Sequence, residues 1–285
     1  MISFLGLGTM GSPMATNLLK QEGSLLVWNR SPEPQEKLVA AGATGAKDAK
    51  EALGAELSIS MFSNDAAADA VLSPENISPD TVHICMASIS PELARTLTKR
   101  FADKGAKYIS APVLGRPKVA EAGALNILAA GDPSEVSKRE KTLLAMGKRV
   151  WPIGVLPEKA NLVKIAVNYN ILHAIQALAE SVALVEAHDV NGEEFVNILT
   201  NTLFDGAVYK GYGEQVAIRN YNPVFFSMDL GRKDLALAEQ SAQEAGIKLP
   251  STDVLAELLN EALQTPALAQ QDWAAVAQLT LNQEK

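Results

Sequence analysis

The chain opens by breaking an apolar run at residues 2–5 with Gly6-x-Gly8-x-x-Gly11. A helical pattern starts at once, with Met10, Met14, Leu18 and Leu19 at three- and four-residue spacing. Strand, glycine turn and helix, in that order, are the setting in which this spacing binds a dinucleotide. Gly6 permits the tight turn, Gly8 lets the backbone approach a pyrophosphate, and Gly11 lets the helix lie close on the strand. Leu7, Thr9 and Met10 complete the loop that would receive the cofactor. The anion would rest on the free N–H groups and positive dipole end of the helix. Glycines that serve the turn alone are the competing reading; the flanking strand and helix favour the nucleotide.

The second strand, residues 25–28, stops at Asn29-Arg30-Ser31-Pro32. NAD-binding units usually carry a carboxylate at this point for the ribose 2′-hydroxyl. Here Arg30 stands between Asn29 and Ser31. A guanidinium and a hydroxyl suit a 2′-phosphate, which a carboxylate would repel. The expected cofactor is therefore NADP(H). A solvent-exposed loop arginine is the plainer alternative.

Strand and helix signals then alternate. Helices are predicted at 34–41, 47–53, 91–104 and 133–146, and strands at 57–62, 81–86, 107–113, 125–129 and 149–153. Asn64 or Asp65 can cap a helix, and Ser90 before Pro91 is a good helix start. The pattern implies an α/β fold: an N-terminal Rossmann-type, doubly wound, mainly parallel sheet with helices on both faces. Ligands of such sheets bind at the carboxyl ends of the strands, where Asn29, Arg30, Ser63, Asn64, Ser88 and Ser110 fall. Each alone passes as turn chemistry; their shared placement makes the argument.

After Gly154 the strand pattern ends. Residues 157–188 read as one long interdomain helix, and helices are predicted at 193–203, 207–219, 228–245, 252–263 and 272–279. The domains are expected at 1–155, binding NADP, and at 156–285, an all-helical C-terminal domain.

Composition narrows the partners. The 285 residues suffice for two domains, with 47% apolar and 20% charged residues, as in a soluble globular protein. Twenty-five basic against thirty-three acidic residues give −8, with no basic block, so nucleic acid and anionic membrane are not expected partners. Cys85 is the sole cysteine, which excludes an internal disulfide framework and fits a reducing cytoplasm. The N-terminus lacks the basic region of a signal peptide, and no uninterrupted apolar stretch is expected to cross a bilayer. No metal site is assigned.

A nicotinamide cofactor would leave the protein to orient a substrate and manage one proton. Lys164 and Asn168 lie one turn apart on the long helix and point the same way. A lysine partly withdrawn from water can act as acid or base, and an amide can hold a substrate oxygen. A solvated lysine with an asparagine below it has the same spacing.

Several stretches together resemble the β-hydroxyacid dehydrogenase family of the 6-phosphogluconate dehydrogenase superfamily. That family includes 3-hydroxyisobutyrate dehydrogenase, tartronate semialdehyde reductase, glyoxylate/succinic semialdehyde reductase and, more distantly, imine reductases. Gly6-Leu-Gly-Thr-Met-Gly-Ser-Pro-Met-Ala-Thr-Asn-Leu18 is similar to the family's opening signature. Ser110-Ala-Pro-Val-Leu-Gly-Arg-Pro117 stands where the family usually has Asp-Ala-Pro-Val-Ser-Gly-Gly. Lys164 with Asn168 matches its helix motif, and Lys233-Asp234-Leu235 matches a later Lys-Asp-Leu. The resemblance implies that Lys164 is the catalytic acid and base and that Asn168 orients the substrate. It implies that Ser88 lies beside the nicotinamide ribose and that Met61, Phe62 and Ser63 line the cofactor. It places Lys233 near both nicotinamide and substrate, and suggests a homodimer or higher homo-oligomer through the helical domain.

The departures fall in the substrate segments. Leu114-Gly115-Arg116 replaces a small, open cradle, and Ser110 replaces an aspartate. Arg116 either binds an anion in bidentate fashion or faces solvent. Val167 replaces the first of two asparagines, and Ala160 a glycine. The expected activity is NADPH-dependent reduction of a small aldehyde or keto acid, or the reverse oxidation of a hydroxyacid. Imine reduction is the alternative suggested by the apolar Leu114, although imine reductases usually lack the lysine. A non-catalytic dinucleotide-binding protein is the third reading.

Overall fold

The computed structural model describes residues 1–282, in two compact units that divide between Lys164 and Ile165. The first unit is built on one sheet. Its elements run β1 (Ile2–Leu5), α1 (Gly11–Glu22), β2 (Leu26–Trp28), α2 (Pro32–Ala40), β3 (Thr44–Gly45), α3 (Ala49–Leu53), β4 (Leu57–Ser60) and α4 (Asp65–Val71). They continue as β5 (Val82–Cys85), α5 (Pro91–Asp103), β6 (Lys107–Ser110), β7 (Val113–Leu114), α6 (Pro117–Glu121), β8 (Leu125–Ala130), α7 (Pro133–Leu144) and β9 (Gly147–Gly154).

The strand order is β3-β2-β1-β4-β5-β6-β8-β7, with β9 paired to β8. From β3 to β6 every pair is parallel; β8 runs antiparallel to β6 and β7. Helices cover both faces, so the central strands are buried on both sides; one side is apolar, and the other also holds a buried polar set, Ser58, Ser60 and His83. Phe4 pairs with Val27 and Ile59, and Ile59 with Ile84, all of them fully buried. Burying each such side chain stabilises the fold by about 1.5–3 kcal/mol.

The predicted strand at 107–113 is two strands. It breaks at Ala111 and Pro112, where the proline has no N–H for a ladder, and β7 turns to pair with β8 through Val113 and Ile127. Two-residue β3 and five-residue α6 are too short to leave a periodic signal in the sequence. Asn64 caps α4, accepting from Ala67 N, and Ser90 caps α5, accepting from Leu93 N.

The long helix, α8 (Glu158–Glu186), starts in the first unit and runs unbroken into the second. The second unit continues with α9 (Gly192–Thr200), α10 (Ala207–Ala217), α11 (Met228–Glu244), α12 (Thr252–Gln264) and α13 (Pro266–Ala269). The predicted helix at 272–279 is a 3-10 turn, Trp273–Ala277, followed by α14 (Gln278–Leu281). Asp272 sets this turn. Its carboxylate accepts from Ala274 N and from the N–H groups of Phe225 and Phe226. Leu172, Ile175, Leu178 and Val182 of α8 fill the core with Tyr221 and Trp273. By length and composition alone α8 is apolar enough to cross a membrane, although Lys164, Asn168 and His173 interrupt its apolar run. One side of it is committed to this helical core.

Candidate active site

The glycine turn between β1 and α1 is fixed by close backbone approaches. A Cβ on Gly6 would lie 2.4 Å from Met61 O, and one on Gly11 would lie 1.9 Å from Gly6 O. Gly6 also has φ +86°, in the region that favours glycine. Gly8 differs: a Cβ there would meet nothing within 4 Å. Its space is open, as the approach of a phosphate requires. Leu7 is buried, while Gly8 and Thr9 are exposed and Met10 half-buried. Met10 supplies no side-chain cap to α1, but Ser12 N already donates to Gly8 O at 2.9 Å, Met14 N donates to Met10 O at 3.4 Å and Pro13 has no N–H, so an anion here would rest on the open backbone at Gly8 rather than on a free first turn of the helix. These residues fit a dinucleotide pyrophosphate.

At the end of β2, Arg30 and Ser31 are exposed. Ser31 occupies the N-cap of α2, but its hydroxyl caps nothing. Arg30 borders a groove of about 530 Å³, with Lys47 also on its wall. Asn29 faces inward. Its Oδ1 accepts from Leu7 N at 2.9 Å and its Nδ2 donates to Ser31 O at 2.9 Å.

Beyond β4, Met61 is half-buried, Phe62 buried and Ser63 exposed. The Asp65 carboxylate accepts from Ser90 N at 3.0 Å, which ties the start of α4 to the turn after β5. That turn carries Ser88, half-buried. Asn161, fully buried, donates from Nδ2 to Ile89 O at 3.2 Å. The first turns of α8 are therefore held to the Ser88 turn within the same unit. Lys164 follows Asn161 by one helical turn, is half-buried, and is the last residue of this unit. Sequence reasoning gave no role to Asp65 beyond capping and none to Asn161, because both act through contacts far along the chain.

The segment after β6 divides. Ser110 is fully buried, with its Oγ 3.5 Å from the Tyr108 hydroxyl. It belongs to an interior polar layer with Cys85 and His83. There burial pushes the Tyr108 phenol and the Cys85 thiol up, and holds His83 down to about 3. Ser58 Oγ and Ser60 Oγ lie 2.8 and 3.0 Å from the two ring nitrogens of His83. Leu114, by contrast, packs on Leu128, Ala130 and Ala160, a cluster that Val163 also joins. The apolar loop residue thus lies against the helical turns that lead to Lys164. Ala160, where the family resemblance expects glycine, uses its methyl group in this cluster. Gly115 has φ +147°, and a Cβ there would lie 2.6 Å from Leu125 Cδ2. Arg116 is half-buried at the start of α6.

In the second unit Asn168 is buried and donates from Nδ2 to Asp234 Oδ2 at 2.5 Å. An ionised carboxylate only accepts, so the amide NH₂ must face it and the amide oxygen is left to face another group. Lys233 Nζ stands 3.1 Å from Asp234 Oδ1. The structure therefore joins Asn168 and Lys233 through the Asp234 carboxylate, which spacing alone does not mark as functional. Among the described residues no group of three His, Cys, Asp or Glu side chains is placed to hold a metal ion.

Residues 1–154 match the model of the NAD-binding domain of 6-phosphogluconate dehydrogenase. Residues 159–280 match the NAD-binding domain of NADP-dependent 3-hydroxyisobutyrate dehydrogenase. The chain is 32% identical to 3-sulfolactaldehyde reductase of Escherichia coli, over 96% of this chain and 94% of that protein. A Mycobacterium tuberculosis 3-hydroxyisobutyrate dehydrogenase determined with L-serine shares the fold, at TM-score 0.86, 24% identity and 98% coverage of both chains. An imine reductase from a Pseudomonas species aligns at TM-score 0.65 and 25% identity, covering 96% of this chain and 97% of that one. With both of its units matched to family models, the chain belongs to the β-hydroxyacid dehydrogenase family and is a pyridine-nucleotide-dependent oxidoreductase.

Proposed function

We propose that this protein is an NADP(H)-dependent reductase of a small aldehyde or keto acid, working reversibly on the corresponding hydroxyacid. The end of β2 carries the cofactor choice. It offers an exposed guanidinium and an uncommitted hydroxyl, Arg30 and Ser31, and the asparagine beside them brings no negative charge. The E. coli relative's name, an aldehyde reductase for a substrate with an anionic sulfonate, supports a small charged carbonyl compound.

A bound nicotinamide supplies or accepts the hydride. Gly8 gives the pyrophosphate its backbone approach in a turn that Gly6 and Gly11 keep tight, Arg30 and Ser31 take the 2′-phosphate, and Ser88 with Met61, Phe62 and Ser63 lines the nucleotide. Lys164 gives the proton from Nζ to the carbonyl oxygen in reduction, and removes it from the hydroxyl in oxidation. Asn168, with its NH₂ held by Asp234, can turn its amide oxygen to accept from the hydroxyl of the hydroxyacid. Leu114 narrows the loop beside the first turns of α8, while Gly115 and Arg116 shape its end.

The test is NADPH oxidation with glyoxylate, succinic semialdehyde, tartronate semialdehyde, methylglyoxal and one cyclic imine, with NADH in parallel. Carbonyl turnover with NADPH preferred supports the reading. Binding of NADPH without any turnover contradicts it. Imine reduction is the second reading, favoured by the apolar Leu114 and the Pseudomonas neighbour. Turnover of the imine alone would establish it. We also propose a cytoplasmic homo-oligomer formed through the helical unit, where Leu184, Ile198 and Leu203 are exposed. A monomer by light scattering contradicts that assembly.

A further inference from the structure

Asn29 stands beside the two residues proposed to meet the 2′-phosphate, yet its side-chain oxygen and one N–H of its amide are bonded within the protein. Oδ1 accepts from Leu7 N in the glycine loop, and Nδ2 donates to Ser31 O, both at 2.9 Å. Its backbone N–H donates to Gln35 Oε1 at 3.1 Å, and Gln35 Nε2 donates to Ala46 O, just beyond β3, at 3.0 Å. The ends of β1, β2 and β3 are thereby linked through two side-chain amides.

An amide is the group that suits this place. It offers an acceptor to the Leu7 N–H and a donor to the Ser31 carbonyl. A carboxylate offers two acceptors. With aspartate here, one oxygen would keep the Leu7 N–H and the other would oppose the Ser31 carbonyl oxygen. The residue type that usually reads the ribose of NAD is thus mismatched to this loop, whatever its effect on the ligand.

We propose that Asn29 is a positioning residue for cofactor choice: its amide ties the Arg30–Ser31 turn to the glycine loop, with Gln35 anchoring Asn29 from α2. The pose of the guanidinium and hydroxyl toward a 2′-phosphate then depends on a side chain bonded to the glycine loop on one side and to Ser31 on the other. This inference rests on the NADP(H) reading. It has a consequence opposite to simple motif exchange: Asn29→Asp loses NADP without gaining NAD.

The experiment is isothermal titration of NADP⁺ and NAD⁺ into the wild type, Asn29→Asp and Gln35→Ala, each first checked for cooperative thermal unfolding. Wild type should bind NADP⁺ the more tightly. Asn29→Asp should weaken NADP⁺ about tenfold or more, the equivalent of one lost hydrogen bond, and leave NAD⁺ no tighter than before. Gln35→Ala, which adds no charge near the phosphate, should weaken NADP⁺ severalfold and change NAD⁺ by less than about twofold. Tighter NAD⁺ binding by Asn29→Asp overturns the inference, because the side chain would then be reading the ribose. Equal losses for both cofactors in Gln35→Ala also overturn it, since they mark a general role in the loop. Should Asn29→Asp not fold, Gln35→Ala decides. A wild type that prefers NAD⁺ defeats the cofactor reading and this inference together; a wild type that prefers NADP⁺ leaves the variants to judge the inference alone.

Discussion

Asp234 Oδ2 receives the amide of Asn168 at 2.5 Å, and both side chains are buried. Asp234→Ala would leave the Asn168 NH₂ without its acceptor, at a cost of about 1–3 kcal/mol. The freed amide would no longer present a fixed oxygen to the substrate. The expected result is a lower melting temperature and a loss of about tenfold or more in kcat/KM for oxidation of the hydroxyacid, whose hydroxyl can donate to that oxygen. Asp234→Asn can turn its side-chain oxygen to Asn168, at the cost of setting its NH₂ against Lys233 Nζ, and should recover only the part of the activity that depends on Asn168. Equal losses in the two variants would show that the negative charge, and not the hydrogen bond, matters.

Arg30 can be tested without disturbing the glycine turn. A charge-assisted hydrogen bond contributes roughly 1.5–3 kcal/mol, so Arg30→Ala should raise the KM for NADPH by about ten- to a hundredfold. NADH, which lacks the phosphate, should be nearly unaffected. Parallel increases for both cofactors, measured in the same assay, would contradict a 2′-phosphate role.

His83 gives the acid stability a specific shape. Burial lowers its pKa from 6.5 to about 3, so the folded ring is neutral where the unfolded ring takes a proton. The unfolded state therefore binds more protons as pH falls from 6.5 toward 3, and stability declines through that window. The ceiling on this decline is about 1.4 kcal/mol per pH unit. Above the window the ring adds no pH dependence. His83→Gln should flatten the acid limb in urea unfolding measured from pH 6 to pH 4; an unchanged slope would exclude the ring as its source.

Gly115 offers a test of the loop. Its φ of +147° and the approach of Leu125 Cδ2 leave no room for a methyl group. Gly115→Ala should cost about 1–3 kcal/mol of local strain and displace Leu114 and Arg116. We expect a raised KM for the carbonyl, with NADP⁺ binding intact by titration. An unaltered KM would separate this loop from the substrate.

The sequence carried the nucleotide half in legible form because that half is local. Gly6, Gly8 and Gly11 sit within one turn, and the strand and helix around them declare themselves by hydrophobic spacing. Arg30 is read from its place after a strand. Asn29 shows the limit: residue type and position alike suggested a cofactor contact, but its partners, Leu7 and Ser31, are a matter of loop geometry. Ser110 was singled out by its match to a motif, and the structure puts its hydroxyl beside Tyr108 in the interior. Asp234 was visible as a letter in Lys-Asp-Leu, yet its work depends on Asn168, 66 residues away, which no spacing rule connects. The break at Pro112 was legible in principle from the missing N–H; the pairing of β7 with β8 was not, because a two-residue strand has no periodicity.

The central claim is an NADP(H)-dependent carbonyl reduction with Lys164 as the acid. The most direct measurement compares kcat for NADPH oxidation by wild type and Lys164→Ala, using the best carbonyl substrate, with NADP⁺ affinity recorded for both. General acid catalysis of this kind contributes about 10²–10⁴-fold, so the account predicts a loss of that size with cofactor binding preserved. Full turnover by Lys164→Ala would contradict it.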